Sequence, residues 1–196
     1  MTKPGGQRDA RLEALEERLG HTFKDRALLL EAMTHGSALD GKRGLRRSYD
    51  RLEFLGDRVL GLIVAEHLLA AREADEEGDL APRLNALVNR HACAAAARAA
   101  DLGAAVILSP SEDQQGGRGK EAILADLCEA VIGALYLDAG MDAARDFVTR
   151  FWGDAFAQQG AAPAGQTATT TQGAATTVTP RRWASASKAL SPRTGP

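Results

Sequence analysis

The stretch Ser48–Ala71, SYDRLEFLGDRVLGLIVAEHLLAA, decides how the rest of the chain is read. Its apolar residues recur at helical spacing around nearly the whole circumference, which for a water-soluble chain marks a central, buried helix. Yet it carries Glu53 and Asp57, spaced i, i+4, so that both carboxylates lie on one face, one turn apart. A second apolar segment, Glu121–Gly140, EAILADLCEAVIGALYLDAG, repeats the pattern with Asp126 and Glu129 at i, i+3. Ionised carboxylates in such surroundings are costly unless paired or metal-bound. Arg51 and Arg58 are near in sequence, but Arg58 directly follows Asp57, and i, i+1 neighbours on a helix do not face one another. Two apolar helices, each presenting two acids, are best explained by one shared site. Four oxygen donors with no His or Cys pattern suit Mg²⁺ or Mn²⁺. Spacing alone leaves a plainer alternative open, in which these acids cap helices, pair with distant arginines or face solvent.

Around these two segments the periodicity is helical throughout, and no strand-like alternation of useful length appears. DARLEALEERLG places Leu12, Leu15 and Leu19 on one stripe and ends at Gly20, a natural helix terminator. KDRALLLEAMTHGSA gives a second short helix that Gly36 ends, and LDGKRGLRRSYD reads as a Gly- and Arg-rich loop. A charged loop, READEEGD, leads into a helix over LAPRLNALVNRHACAAAARAADLG, with Pro82 suited to its first turn. SPSEDQQGGRGK reads as a polar loop, and MDAARDFVTRFWGDAFAQ is a last helix carrying Phe147, Phe151 and Trp152. The body is expected to be all-α.

Charge and composition divide the chain. Residues 1–154 hold 20 Lys and Arg against 26 Asp and Glu, whereas no acid follows Asp154 and four basic residues do. The tail is also poor in large apolar residues and rich in Ala, Thr, Gly and Gln, too little to offset its chain entropy. The expected organisation is a flexible N-terminus over 1–9, a folded body over 10–158 and a low-complexity basic tail over 159–196. No apolar core follows the N-terminal basic residues, so a signal peptide is not expected. Apolar runs are broken well short of the ~20 residues that span a bilayer. Cys93 and Cys128 stand singly, which fits a reducing, cytoplasmic home.

RLEFLGDRVL resembles the signature motif of the ribonuclease III family, approximately N-E-R-L-E-F-L-G-D-x-V-L. ILADLCEAVIGALYLDAG resembles that family's second acidic motif, THGS its Thr-His-x-Ser segment, and EEGDLAPRLNALVNR its Glu-Gly-x-Leu-x-x-x-Arg-x-x-Leu-Val segment. The segments occur in the family's order over roughly residues 10–156. The resemblance implies a homodimeric endonuclease specific for double-stranded RNA, acting in rRNA and mRNA processing and leaving 5′-phosphate and 3′-hydroxyl ends. It implies that Glu53, Asp57, Asp126 and Glu129 form the metal site, with Asp57 and Glu129 the catalytic pair and two Mg²⁺ ions, or Mn²⁺ in their place. Glu77 matches a further acidic residue at the edge of the catalytic valley, and Phe54 matches the aromatic residue by which one subunit plugs into the other. For Phe54 the plain alternative is core packing.

Two alternatives of other classes remain. One is a binding protein on the same fold without catalysis, against which the retention of all four acids argues. The other is an unrelated helical nucleotide phosphohydrolase, which would need His ligands; His35, His67 and His91 have no adjacent His-Asp pair.

The chain departs from the family pattern at three places. Tyr49-Asp50 stands where the family has Asn-Glu, and Arg58 where a small residue is usual. The tail lacks the strands and apolar content of an α-β-β-β-α duplex-binding domain. RRWASASKALSPRTGP resembles only the beginning of one, with Trp183 available for base stacking. A body this acidic needs metals and local cations to hold a polyanion. Arg43, Arg46 and Arg47 in one loop and Arg118 and Lys120 in another are the phosphate-binding candidates, with solvated loop positions as the plain alternative. A-form RNA would be met through its wide minor groove, with weak sequence specificity.

Overall fold

Two helices approach at their backbones, and the rest of the fold is built around that contact. The computed structural model describes residues 4–39 and 47–160, and over these the chain is all-α, as the periodicity predicts. The chain divides into two units, Met1–Ala162 and Pro163–Pro196; the described residues lie in the first, and the second lies wholly outside them.

The helices in contact are α3 (Asp50–Ala71) and α8 (Glu121–Ala139), the latter buried around almost its whole circumference from Ile123 to Leu135. They touch at Gly56 and Gly133. A Cβ on Gly56 would fall 1.7 Å from the Glu129 carbonyl oxygen, and one on Gly133 would fall 2.3 Å from that of Leu52. Only hydrogen fits at either point, so glycine here is a condition of the crossing rather than a source of flexibility. The crossing sets Glu53 and Asp57 of α3 beside Asp126 and Glu129 of α8.

The remaining helices cover this pair. On α1 (Pro4–Leu19) the stripe Leu12, Leu15, Leu19 is buried as its spacing predicts, and the helix ends at Gly20 with φ of +69°. α1 begins at Pro4, so the expected flexible start over 1–9 is helical from that residue, proline being at home in a first turn. α2 (Arg26–Ala32) is capped by Asp25, whose carboxylate accepts from the Ala27 N–H at 2.9 Å. A 3-10 turn over Gly36–Ala38 follows it, and a single parallel bridge joins Thr34 to Ile107.

The segment expected as one helix after Pro82 is two: α4 (Glu77–Val88) and α5 (Arg90–Ala99). Asn89 between them is extended, and its side chain accepts from the Ala92 N–H at 2.9 Å, capping α5. Competition by a short polar side chain for backbone donors breaks the run. α4 also starts five residues before Pro82, which therefore lies in its interior. Small residues on α5 (Cys93, Ala94, Ala96, Ala97) are buried.

After α6 (Leu102–Ala105), the loop expected over SPSEDQQGGRGK contains α7 (Pro110–Gln114) and a 3-10 turn, Gly117–Gly119. Ser109 caps α7, its Oγ accepting from Glu112 N–H at 3.1 Å, with Pro110 in the first position. α9 (Met141–Gly160) closes the body; its Trp152 is buried, with the indole N–H donating to the Leu87 carbonyl at 2.7 Å.

Candidate active site

Glu53 and Asp57 project from the first two turns of α3, and Asp126 and Glu129 from the first half of α8. All four are partly rather than fully buried, so the expected deep burial of α3 holds for one side of that helix only.

The acids sense one another. Burial raises Glu53 above the usual carboxylate range, and the charges of Asp126, Asp50 and Asp57 add to this. Glu129 is pushed up to about 7, first by burial and then by Asp57, with Glu53 and Asp126 contributing. Asp126 is raised by burial, against which a hydrogen bond from Tyr49 and the charges of Arg90 and His35 act. Residues from two helices thus share a single negative field, the condition that a divalent cation relieves.

Each of three acids also has a specific partner. The Tyr49 hydroxyl donates to Asp126 Oδ2 at 3.3 Å. The Cys93 thiol donates to Glu129 Oε1 at 3.6 Å, and burial raises that thiol so that it stays protonated. Arg58 Nη1 bonds Asp57 Oδ2, contrary to the expectation that adjacent residues on a helix do not meet; the long arginine arm curls back where shorter side chains would diverge. With the carboxylates so engaged, no three Asp, Glu, His or Cys side chains among the described residues are gathered closely enough to share one ion. In chemical type the set fits a hard dication: four carboxylates from two rigid helices, three of them with ionisation disfavoured by burial, and Glu53 and Glu129 also by the others' charge.

The other expected residues fare differently. Glu77 is exposed in the first turn of α4 and is not among the charges that raise Glu53, Asp126 and Glu129. Phe54 is 65% exposed, and with Leu62 (49%) and Leu69 (62%) it forms an apolar stripe along the outer side of α3. This sets aside intrachain core packing for Phe54. The Arg58 guanidinium lies 4.3 Å above the Phe54 ring centre.

Arg43 and Arg46 lie outside the described residues, while Arg47 is exposed just ahead of α3. Arg118 and Lys120 have acidic partners within their own loop. Arg118 donates to both carboxylate oxygens of Asp113 at 2.7 and 3.1 Å, and to the carbonyls of Gly103, Ala104 and Val106. Lys120 Nζ lies 2.6 Å from Glu112 Oε1. Both cations hold the loop before α8 rather than standing free for a phosphate. An acidic α7 inside that loop is what a reading by composition misses.

Sequence reading also passed over Cys93, Gly56 and Gly133 as parts of the site. A glycine inside each acid-bearing apolar helix was the available signal, since glycine in a helix interior asks for a packing reason.

Residues 25–154 match the family model described as Ribonuclease-III-like. Ribonuclease 3 of Cereibacter sphaeroides (strain ATCC 17025 / ATH 2.4.3) is 54% identical over 147 residues, covering 75% of this chain and 63% of that protein. Ribonuclease 3 of Caulobacter vibrioides (strain NA1000 / CB15N) is 49% identical over 154 residues, covering 79% of this chain and 66% of that protein. The chain thus spans a little under two thirds of the length of such curated relatives. Among solved structures, the nuclease domain of ribonuclease III from Campylobacter jejuni is similar with a TM-score of 0.66 at 41% identity. The match covers 74% of this chain and 95% of that one. Another structure of that nuclease domain, described for flexibility in the region involved in dimer formation, is similar at the same TM-score and identity. With the signature motif on α3, the second acidic motif on α8 and the all-α fold shared over this length, the chain belongs to the ribonuclease III family.

Proposed function

We propose that this chain is a metal-dependent endoribonuclease that cleaves double-stranded RNA to 5′-phosphate and 3′-hydroxyl ends. It acts as a cytoplasmic homodimer in rRNA and mRNA processing. The observation that carries the reading is the meeting of two acid pairs across the Gly56–Gly133 contact, where burial and mutual charge push Glu129 up to about 7. No helix among the described residues is long and apolar enough to cross a membrane.

In this reading Glu53, Asp57, Asp126 and Glu129 hold Mg²⁺, with Mn²⁺ as a substitute and two ions per site. Bound there, the metal supplies a water of lowered pKa and shields the departing 3′ oxygen. The protein's part is to hold the donors on two helices locked at their backbones, and to release them from their present partners. As metal ligands, Asp57 would turn from Arg58 and Glu129 from Cys93. Glu129, pushed up to about 7, would have to be deprotonated to serve as a ligand, which would couple metal binding to pH. Arg58, once freed from Asp57, is a cation at the rim of the site, facing the charge of an incoming phosphodiester. Glu77, exposed in the first turn of α4, is assigned to the edge of the valley as a second acidic position on its match to the family segment. Arg47, exposed just ahead of α3, and Arg46, which lies outside the described residues, are the candidate backbone contacts. Phe54, Leu62 and Leu69 supply the apolar surface for the second subunit.

The test is incubation of the full chain with long duplex RNA and Mg²⁺, with end-group analysis of the products. Short duplex products with 5′-phosphate ends are expected, and none with Mg²⁺ withheld. Duplex binding with no cleavage under any divalent ion would overturn the enzymatic reading in favour of an RNA-binding role.

A further inference from the structure

Tyr49 interrupts the family's Asn-Glu pattern, and its surroundings give it a defined task. It is 3% exposed and is tied in place from three sides. Its N–H donates to the Thr34 carbonyl at 2.9 Å. Its own carbonyl accepts from Leu52 and Glu53 N–H at 2.8 and 2.9 Å, which makes it the residue from which α3 starts. Its ring lies 5.7 Å from the imidazole of His35, tilted by 58°. That imidazole is itself fixed, Nδ1 accepting from the Ser37 N–H at 3.1 Å and lying 2.8 Å from Ser37 Oγ. Ser37 Oγ in turn accepts from Ser109 N–H at 3.0 Å. From this anchored ring the hydroxyl reaches across to α8 and meets Asp126 Oδ2. A phenol is neutral at ordinary pH and donates.

We propose that Tyr49 is a positioning residue for the acidic site: its hydroxyl holds Asp126 Oδ2, leaving the other carboxylate oxygen directed to a divalent cation. One residue then joins both halves of the site, starting the helix that carries Glu53 and orienting an acid on the helix that faces it. The Thr34–Ser37 segment acts through it, by bracing the ring. Partners behind a metal ligand fix its orientation, and their removal typically weakens metal affinity about 10–100-fold. The inference rests on the reading of the four acids as a metal site.

The test measures Mn²⁺ binding to the RNA-free full chain by electron paramagnetic resonance of free Mn²⁺, in Tyr49→Phe, Asp126→Asn and the double variant. Tyr49→Phe removes one oxygen and keeps the ring. It is expected to leave the thermal midpoint within a few degrees of the parent while weakening Mn²⁺ about tenfold. In the Asp126→Asn background the same change is expected to have less than about a twofold effect, because the bond is already altered. Parent-like affinity in Tyr49→Phe, with Asp126→Asn defective, overturns the role of Tyr49 alone. An equal loss in both backgrounds also overturns it, showing a general structural effect. Parent-like affinity in Asp126→Asn overturns the metal reading of the cluster, and this inference with it. A second measurement keeps Tyr49 and Asp126 in place. Tyr49 and Tyr136 are the chain's two tyrosines, so Tyr136→Phe leaves Tyr49 as the one source of the tyrosine Raman band, which is resolved from the bands of the two tryptophans. Mg²⁺ is expected to shift that band with the midpoint of metal binding, and an unmoved band at saturation counts against the contact.

Discussion

Glu129 shows at the scale of one residue how carboxylates gathered at one place strain the protein. Burial and the neighbouring Asp57 charge raise its carboxyl from 4.5 to about 7. A carboxyl raised on folding contributes stability that is fully present below its unfolded value and lost as pH rises through the folded one. The metal-free protein should therefore melt at falling temperature from about pH 5 to pH 8. Glu129→Gln, which stays neutral, should be close to the parent at pH 5. At pH 8 it should be more stable by on the order of 1 kcal/mol, after allowance for solvent screening. Thermal melts in chelator at both pH values check this. A parent and variant with the same pH dependence would remove Glu129 as the source. In Mg²⁺ the same variant should lose cleavage by at least about a hundredfold, an amide being a neutral and poorer ligand for a hard dication. Stability and activity then move in opposite directions at one position, as expected where like charges are gathered for function.

At the scale of elements, the backbone contact between α3 and α8 decides whether the four acids share a field at all. Gly56→Ala would drive a methyl group to 1.7 Å from the Glu129 carbonyl oxygen, which no side-chain rotation relieves. The helices must separate, with an expected loss of about 3 kcal/mol or more together with loss of Mg²⁺ binding. Gly61→Ala, on the same helix but with nothing within 4 Å of its added Cβ, is the control. It should be neutral or stabilising by about 0.5–1 kcal/mol. Chemical denaturation of both variants checks the contrast, and a Gly56→Ala protein as stable as the parent would contradict the crossing. The loop before α8 is held differently, by Arg118 on Asp113 and three carbonyls. Arg118→Ala should lower stability by about 1–3 kcal/mol and leave the salt dependence of duplex binding unchanged. A shallower salt slope in that variant would return Arg118 to the list of phosphate contacts.

Over the described body as a whole, the outer side of α3 is unusual. Phe54, Leu62 and Leu69 recur every two turns and are half to two thirds exposed, in a helix whose opposite side is core. An apolar stripe of this kind on the acid-bearing helix suits a second copy of the chain, and a duplex needs two sites to be cut on both strands. Sedimentation at micromolar concentration should give a species of twice 20.7 kDa. Phe54→Ala should shift it toward monomer, by at least about tenfold in dissociation constant if the ring is an anchor. A parent that sediments only as monomer would sink the dimer. The Arg58 guanidinium lies over the Phe54 ring and also bonds Asp57, so the exposed apolar stripe and the acidic cluster are joined through one side chain.

Much of this was legible in the sequence, because helical period and residue chemistry are local properties. The all-α class, the stripe on α1, the centrality of α8 and the pairing of acids one turn apart follow from spacing alone. Helix bounds were less legible where short polar residues compete for backbone donors. Asn89 split one expected helix, and Ser109 with Pro110 started another inside an expected loop. What only the tertiary structure decided depends on residues far apart in sequence. Sequence marks Gly56 and Gly133 as glycines, but only their contact shows that a methyl group at either would push the acids apart. Arg118 and Lys120 read as free cations until Asp113 and Glu112 on α7 are seen to hold them. Tyr49 reads as a lost amide until its hydroxyl is found on Asp126, 77 residues away. Period and composition are written along the chain. Proximity across it, and therefore the charge that each acid feels, arises only on folding.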